Sequence, residues 1–404
     1  MSVLRPQPSA TEPKTIVLTG GGSGGHITPI LAVAHQLKKL RPDVKLVYIG
    51  QKGEKLHNVI ARSSDIDQVA YIWAGKWRRY HGEKWRQLVD IPTLAKNTRD
   101  TTRVARGIQQ SRRLLKRLHP VGIFIKGGFV SVPVGVAAHQ LHIPFITHDS
   151  DALPGLANRL IGRWALLYAV GMPPELYSYA PDKMRYTGVP IDSHYQVATE
   201  AEKKQIKQTL GLGGYSQVML VTGGGLGAQR VNEALIGIAP VLLEKNPGLA
   251  IIHAVGLDHE KLMQAAYDAV IPDDQRKRVQ VHGYIHDMYQ VGVAADVVIT
   301  RAGATNLAEW AALHKACIVI PNPLLTGGHQ LKNTQAFVQK QAIIEVAESQ
   351  LKDKTVLQTA IQQLLDDSGR RQQLGDNIAQ FAKPAAAHEL ATLLLESFMP
   401  KREG

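Results

Sequence analysis

Apolar positions along this chain gather into short runs separated by longer stretches in which they recur at helical spacing, the signature of alternating strands and helices. TIVLT from Thr15, KLVYIG from Lys45, GIFI from Gly122, VMLVT from Val218, VVIT from Val297 and ACIVI from Ala316 are such runs. The stretch from Asp296 to Ala336 shows the arrangement most completely, reading strand, glycine turn, helix, strand, loop, helix. Within it Asp296 to Thr300 is a β-branched strand and Thr305 is the expected helix cap.

An internal repeat extends this pattern to the whole chain. Residues 15–37, TIVLTGGGSGGHITPILAVAHQL, and residues 218–240, VMLVTGGGLGAQRVNEALIGIAP, share the order strand, Thr-Gly-Gly-Gly-x-Gly, helix. Thr19 matches Thr222 and Gly24 matches Gly227, an offset of 203 residues, half the chain. Each copy opens a series of alternating strands and helices, so the expected fold is α/β, with two doubly wound Rossmann-like domains whose ligand crevices face one another across a cleft. Residues 1–14 read as a disordered lead, 15–192 as the first domain and 193–384 as the second. The crossover falls near Thr187 to Ala198, where strand-like MRYTGVPI gives way to polar SHYQVATEAEKKQ. Residues 385–404 read as a C-terminal helix, with return to the first domain left open.

Composition narrows the class. At 404 residues, with 44% hydrophobic and 20% charged, the chain has an ordinary soluble α/β balance and the length for about two or three domains. No run approaches the roughly 18–20 apolar residues that cross a bilayer, and MSVLRPQPSATEPK lacks an apolar signal core, so a cytoplasmic location is expected. The single cysteine, Cys317, lies inside the apolar run ACIVI and reads as a buried small hydrophobe. That excludes a disulfide framework and a multi-cysteine metal site. The net charge of +13 points to an anionic partner.

Candidate chemistry collects at the glycine turns. Ala302, Gly303 and Ala304 have no side chain large enough to keep a ligand off the backbone, and free N–H donors at a helix start, with the positive end of its dipole, suit a diphosphate there. Glu309, about one turn into the helix, can accept two hydrogen bonds from a vicinal diol such as a ribose offers, and Gln330 supplies an amide for further hydroxyls. The unit has the character of a nucleotide-sugar cradle. A glycine-rich turn alone also suits a dinucleotide, but that reading needs an acid at the tip of the second strand. KLVYIG ends in Gly50-Gln51-Lys52, with Glu54 the nearest acid.

In the first loop His26 stands after Gly24-Gly25 and before Pro29, a proline expected in the first turn of a helix. The local dipole disfavours the imidazolium, so His26 reads as a neutral base near pH 7 or as a residue that merely ties the loop. Its counterpart in the second copy is Gln229, which suits a division of labour between acceptor and donor. Further on, one strand ends at Lys126-Gly127-Gly128 and the next at His148, followed by Asp149 and Asp151. This Asp-x-Asp is read as polar lining of the acceptor half and no metal is assigned.

GGGSGGHITPILAVA, KGGFVSVPVGVAA, IPFITHDSDALPGLANR, TGVPI, TGGGLGAQ, GYIHDM and RAGATNLAEW with HQLKN occur in the order and spacing of the family 28 glycosyltransferases, which the chain resembles over roughly residues 15–385. The resemblance implies a GT-B fold and an inverting transfer of N-acetylglucosamine from UDP-N-acetylglucosamine to lipid I, the undecaprenyl-diphospho-muramoyl pentapeptide, giving lipid II with no cofactor. It places Gly21, Gly22, Gly24, Gly25 and Lys126 toward the acceptor diphosphate, with His26 as first and Asp149 as second candidate base. Gly224, Gly225, Gly227, Gly303 and Ala304 fall to the donor diphosphate, Ile285 to the uracil, Glu309 to the ribose, and Gln330 and Asp151 to the sugar. The chain departs from the family pattern at Asp149 and Asp151, where His-Glu-x-Asn is usual, at Asp192 in place of an Arg, at Gly225 in place of a Ser and at Phe129 in place of a Tyr. Transfer to another lipid such as diacylglycerol, 2-epimerisation of the sugar nucleotide, and binding without catalysis stay open as alternatives.

The charge is concentrated. Residues 71–117 hold thirteen Lys or Arg against three acids, a net of +10, and three of the five tryptophans. Val104, Ile108, Leu115 and Leu118 recur at helical spacing and are expected to face the core. Trp73, Trp77 and Trp85, interleaved with Lys76, Arg78, Arg79, Lys84 and Arg86, suit the headgroup boundary of an anionic membrane, placing the protein peripherally at the cytoplasmic face of the cell membrane. Nucleic acid is the rival anion, but no binding motif for it accompanies the patch.

Overall fold

The structure, a computed structural model, describes residues 13–21, 24–54, 57–75, 91–224, 227–324 and 328–400. The apolar runs form thirteen strands among these residues. They are β1 Thr15–Thr19, β2 Lys45–Gln51, β3 Gln68–Ile72, β4 Gly122–Ile125, β5 Phe145–Asp149, β6 Leu167–Val170, β7 Met184–Tyr186, β8 Gln217–Thr222, β9 Leu249–Ala254, β10 Val279–His282, β11 Val297–Thr300, β12 Ala316–Val319 and β13 Ile344–Glu345. They assemble into two parallel sheets, one of seven strands in the order β3-β2-β1-β4-β5-β6-β7 and one of six in the order β10-β9-β8-β11-β12-β13. Two doubly wound domains were expected from the repeat, and two are found.

Helices on both faces explain why the strands are apolar throughout. β1, β4, β5 and β9 are buried at every residue, because a parallel sheet is covered on both sides by its crossover helices. The repeat maps onto equivalent places: β1 is flanked by β2 and β4, and β8 by β9 and β11. In each sheet the strand order reverses beside the repeated strand, so a crevice opens at the carboxyl ends of β1 and β4 and again at those of β8 and β11. The glycine turns with His26, Lys126, Glu309 and Gly303 lie on chains leaving these strand ends, while Asp149, Ile285 and Gln330 leave the ends of β5, β10 and β12.

The chain forms two compact units. One comprises residues 1–149, 154–190 and 385–404, and the other residues 150–153 and 191–384. The last helix, Ala386–Phe398, therefore belongs to the first unit, where it packs on the helix Gly24–Leu40 and places Leu390, Leu394 and Phe398 in the core beneath that sheet. Phe398 lies so close over Gly122 that a Cβ there would fall 2.2 Å from its ring. In the second unit the polar stretch after the crossover becomes the helix Glu200–Thr209. It starts on a capping box in which Thr199 N donates to Glu202 at 2.7 Å.

Two local expectations are corrected. The helix Ala304–Ala312 has Gly303, not Thr305, at its N-cap, and Thr305 lies inside the first turn. Glycine serves there as a cap in extended backbone (φ −69°, ψ 132°). The first helix begins at Gly24, so His26 is its third residue rather than a loop residue, and Pro29 lies in the second turn, not the first. Cys317 is fully buried in β12, as its surroundings in sequence indicated.

Candidate active site

At the first crevice several polar side chains are engaged with one another, although Thr147 Oγ1, His148 Nδ1, Ser150 Oγ and Asn158 Oδ1 are buried with no hydrogen-bond partner among the described residues. Asp149, at the end of β5, is 5% exposed. Its Oδ1 accepts from Gly155 N and Asn158 Nδ2, both at 3.0 Å, and its Oδ2 from the Tyr179 hydroxyl at 2.7 Å. Burial raises its pKa more than these donors lower it. His148, fully buried beside it, places Nε2 2.9 Å from Gly188 O; a carbonyl only accepts, so Nε2 carries a hydrogen. Burial first, and then the charge of Lys126, hold its pKa well below the ordinary histidine value. Lys126 is itself buried and acts on Asp149 as well, and His26 acts on His148, so these four residues form one electrostatic cluster at the ends of β1, β4 and β5.

The first glycine turn is packed tightly. A Cβ on Gly21 would lie 2.4 Å from Glu54 Oε1, and one on Gly128 2.4 Å from Gly21 O. Glu54 thus folds back over the turn, with Oε2 3.1 Å from the Tyr48 hydroxyl, instead of standing at the tip of β2 where a dinucleotide would require an acid. Gly24 and Gly25 open the helix, and Gly22 lies outside the described residues.

The second crevice is built differently. Gly224 (φ +81°) and Gly227 (φ +74°) both adopt left-handed backbone that favours glycine. Gly227 is also held by close approach, since a Cβ there would meet Val255 O at 2.1 Å, whereas nothing lies within 4 Å of one on Gly224. Val255 O is fixed from below by Asn232 Nδ2 at 3.0 Å, and Asn232 Oδ1 is 3.0 Å from Nε2 of the buried His253. Gly225 lies outside the described residues.

Around Gly303 no described residue lies within 4 Å of a Cβ placed there. Glu309, six residues on, is 8% exposed and has no hydrogen bond to its carboxylate among the described residues. Burial, and then the negative charge of Asp192, push its pKa up to about 8. The buried Tyr195 and half-exposed Tyr284 lie within its field. Asp192 is exposed and accepts from His194 N at 2.9 Å and from His194 Nδ1 at 2.6 Å. Ala304 opens the helix, and Ile285 is half-buried in the turn between β10 and the helix Met288–Ala294.

Other motif residues have structural partners. Arg301 donates to Ile320 O at 3.1 Å and pairs with Glu348 at 2.5 Å. Gln330 uses Oε1 to accept from Asn322 N at 2.8 Å, which leaves its NH2 as the part of the amide available to a hydroxyl. Asp151 accepts from Asn333 Nδ2 at 2.8 Å. Among the described residues no three acids, histidines or cysteines are placed to hold a metal ion.

The sequence singled out no role for Asn158, Tyr179, His148 or Asn333. Asn158 and Asn333 stand in motifs that were noticed, ALPGLANR and HQLKN, but Tyr179 gave no signal because it meets Asp149 across 30 residues of chain. Of the basic and aromatic patch, Trp77, Trp85, Lys76, Arg78, Arg79, Lys84 and Arg86 lie outside the described residues. Trp73 is half-buried, with Lys52 Nζ 5.2 Å and Arg103 Cζ 5.4 Å from its ring centre. In the helix Ile91–Leu118 the core is met by Leu114 and Leu115 with Leu118 against them, while Val104 and Ile108 are only half-buried. Arg112, Arg113, Lys116 and Arg117 are exposed, and no described helix is long and apolar enough to cross a membrane.

Two family models match the chain: the glycosyltransferase family 28 N-terminal domain over residues 16–169 and the family 28 C-terminal domain over residues 218–390. A Bacillus cytotoxicus protein named as UDP-N-acetylglucosamine–N-acetylmuramyl-(pentapeptide) pyrophosphoryl-undecaprenol N-acetylglucosamine transferase is 31% identical over 376 residues, 93% of this chain and 97% of that one. A Natranaerobius thermophilus protein of the same name is 30% identical over 381 residues, 94% and 98% of the two chains. Among solved structures, MurG of Acinetobacter baumannii superposes with a TM-score of 0.68 at 22% identity, covering 95% of this chain and all of that one. A UDP-N-acetylglucosamine 2-epimerase superposes at 0.67 with 13% identity, covering 96% and 97%. At such identities the likeness is one of fold.

Proposed function

This chain belongs to glycosyltransferase family 28, and we infer that it transfers N-acetylglucosamine from UDP-N-acetylglucosamine to lipid I, the undecaprenyl-diphospho-muramoyl pentapeptide, to give lipid II. One observation of the site carries the donor half of this reading. A buried carboxylate with no hydrogen-bonding partner among the described residues, Glu309, stands one turn behind the helix start at Gly303, at the strand-order reversal of the second sheet. Glu309 takes the ribose diol, and the N–H groups at Gly303, Ala304, Gly224 and Gly227 take the diphosphate, where a helix start favours negative charge. Ile285 borders the uracil, and Gln330 and Asp151 border the sugar.

The first unit takes the acceptor, with Lys126 as its buried positive charge. His26 is the base. Both oxygens of Asp149 are already engaged by protein donors, so Asp149 holds the end of β5 in place rather than taking a proton. The acceptor hydroxyl oxygen forms its bond to the anomeric carbon from the face opposite UDP as His26 takes its proton. The bond from that carbon to the phosphate oxygen breaks, and UDP leaves with the electron pair, stabilised by the helix-start donors. Because the acceptor carries a polyprenyl tail, the basic and tryptophan-rich segment 71–117 docks the protein on an anionic lipid surface at the cytoplasmic face.

The test combines the purified protein with UDP-N-acetylglucosamine and a short-chain lipid I analogue, following UDP release and disaccharide formation. Both should appear together, with inversion at the anomeric carbon. Donor binding without turnover would make the chain a sugar-nucleotide binder, and transfer to diacylglycerol alone would move it to another lipid acceptor.

A further inference from the structure

Asn333 is 1% exposed, and its side chain is engaged in three directions within the second unit. Nδ2 donates to Ala302 O at 2.9 Å and to Asp151 Oδ1 at 2.8 Å, and Oδ1 accepts from Ala152 N at 2.9 Å. Both amide hydrogens are therefore used by the protein, so Asn333 has no donor left for a ligand. What it controls is backbone. The peptide joining Ala302 to Gly303 is trans, and in a trans peptide the C=O and the N–H point in opposite directions. Tethering Ala302 O to Asn333 therefore turns the Gly303 N–H away from Asn333.

We propose that Asn333 is a positioning residue for the donor: by holding Ala302 O it aims the Gly303 N–H at the diphosphate of the sugar nucleotide. This rests on the reading of the Gly303 turn as the diphosphate cradle. Without the tether the 302–303 peptide can rotate, and its N–H must then be reoriented each time the anion binds. Its other two bonds carry the segment Ser150–Leu153 with it: the same side chain that sets the turn also holds Asp151 and Ala152, so this segment and the turn after β11 are fixed by one amide within the second unit.

Calorimetry with UDP and with uridine separates this role from a general loss of structure. For Asn333→Ala, UDP affinity should fall by about tenfold to thirtyfold, as expected when one fixed anion donor is lost, while uridine, which has no phosphate, should bind within about twofold of the parent. The KM for UDP-N-acetylglucosamine should rise in step while that for the acceptor stays put. If Asn333→Ala does not fold, Asn333→Leu carries the same test, since it keeps about the size, loses both donors and adds no charge beside Asp151 or the diphosphate. Unchanged UDP affinity in a folded variant, or equal losses for UDP and uridine, would overturn the proposal alone. A parent that bound uridine and UDP equally well would remove the diphosphate cradle, and the proposal with it.

Discussion

The two glycine turns come from the same repeat and occupy equivalent places in their sheets, yet the carboxylates beside them are held differently. At the first, Glu54 fills the space beside Gly21, Asp149 is held by three donors, and His148 is bonded to Gly188 O. At the second, no described residue lies within 4 Å of a Cβ on Gly224 or Gly303, and Glu309 is buried without a hydrogen bond among the described residues. A buried polar group that is satisfied rigidifies its surroundings, and one that is not costs stability until something binds it. The Asp149 carboxylate is thus held by protein donors, whereas the Glu309 carboxylate meets no donor among the described residues.

The sharpest break between the halves should come from His26. His26→Ala is expected to lower kcat by about 10²–10⁴-fold, the usual worth of a general base, with UDP affinity within threefold by calorimetry. Loss of UDP binding would move His26 out of the acceptor half. Next comes Glu309→Ala, for which kcat/KM should fall by about 30- to 1000-fold, equivalent to roughly 2–4 kcal/mol of charge-assisted hydrogen bonding to the ribose. A folded variant within threefold of the parent would remove Glu309 from the donor site.

Stability should separate the units in sign. Tyr179→Phe takes one donor from a buried carboxylate and should lower unfolding free energy by about 1–3 kcal/mol in denaturant titrations. Glu309→Gln should instead raise it near pH 8. The reason is linkage. With a folded-state pKa of about 8 against 4.5 for the free side chain, Glu309 keeps its proton between those values while the unfolded chain has released it, so stability declines as pH rises through that window. The glutamine variant should lose that part of the slope, and an identical slope in both proteins would refute the assignment.

The smallest effect expected is on binding. Accepting two ribose hydroxyls favours the carboxylate, so binding lowers the pKa of Glu309 and releases a proton. Uridine affinity should rise by up to about tenfold per pH unit from pH 6 and level off above about pH 8. Calorimetry in buffers of differing ionisation enthalpy measures the proton directly, and a pH-independent affinity would show that the protonated acid binds the diol equally well.

Much of this was legible in the chain. The repeat predicted two sheets because a strand, a glycine turn and a helix are local in sequence, and their apolar runs report burial on both faces. Glu309 was legible for a related reason, since its position relative to Gly303 is set by one short helix. Helix starts were read less well: Thr305 was read as a cap but lies inside the first turn, and Pro29 was placed one turn early, because glycines as well as polar caps can begin a helix.

What the sequence determined by itself was therefore the order of elements, the two parallel sheets and the placing of each glycine turn at a strand end, all of which follow from spacing and polarity over a few residues. What only the tertiary structure decided was which polar groups are engaged. Asn333 meets Ala152 across 181 residues of chain, Tyr179 meets Asp149 across 30, and the last helix of the chain completes the core of the first unit. A residue's identity states which hydrogen bonds it can make, but whether those bonds are met by protein or left for a ligand depends on groups brought together from distant strand ends, which no local pattern encodes.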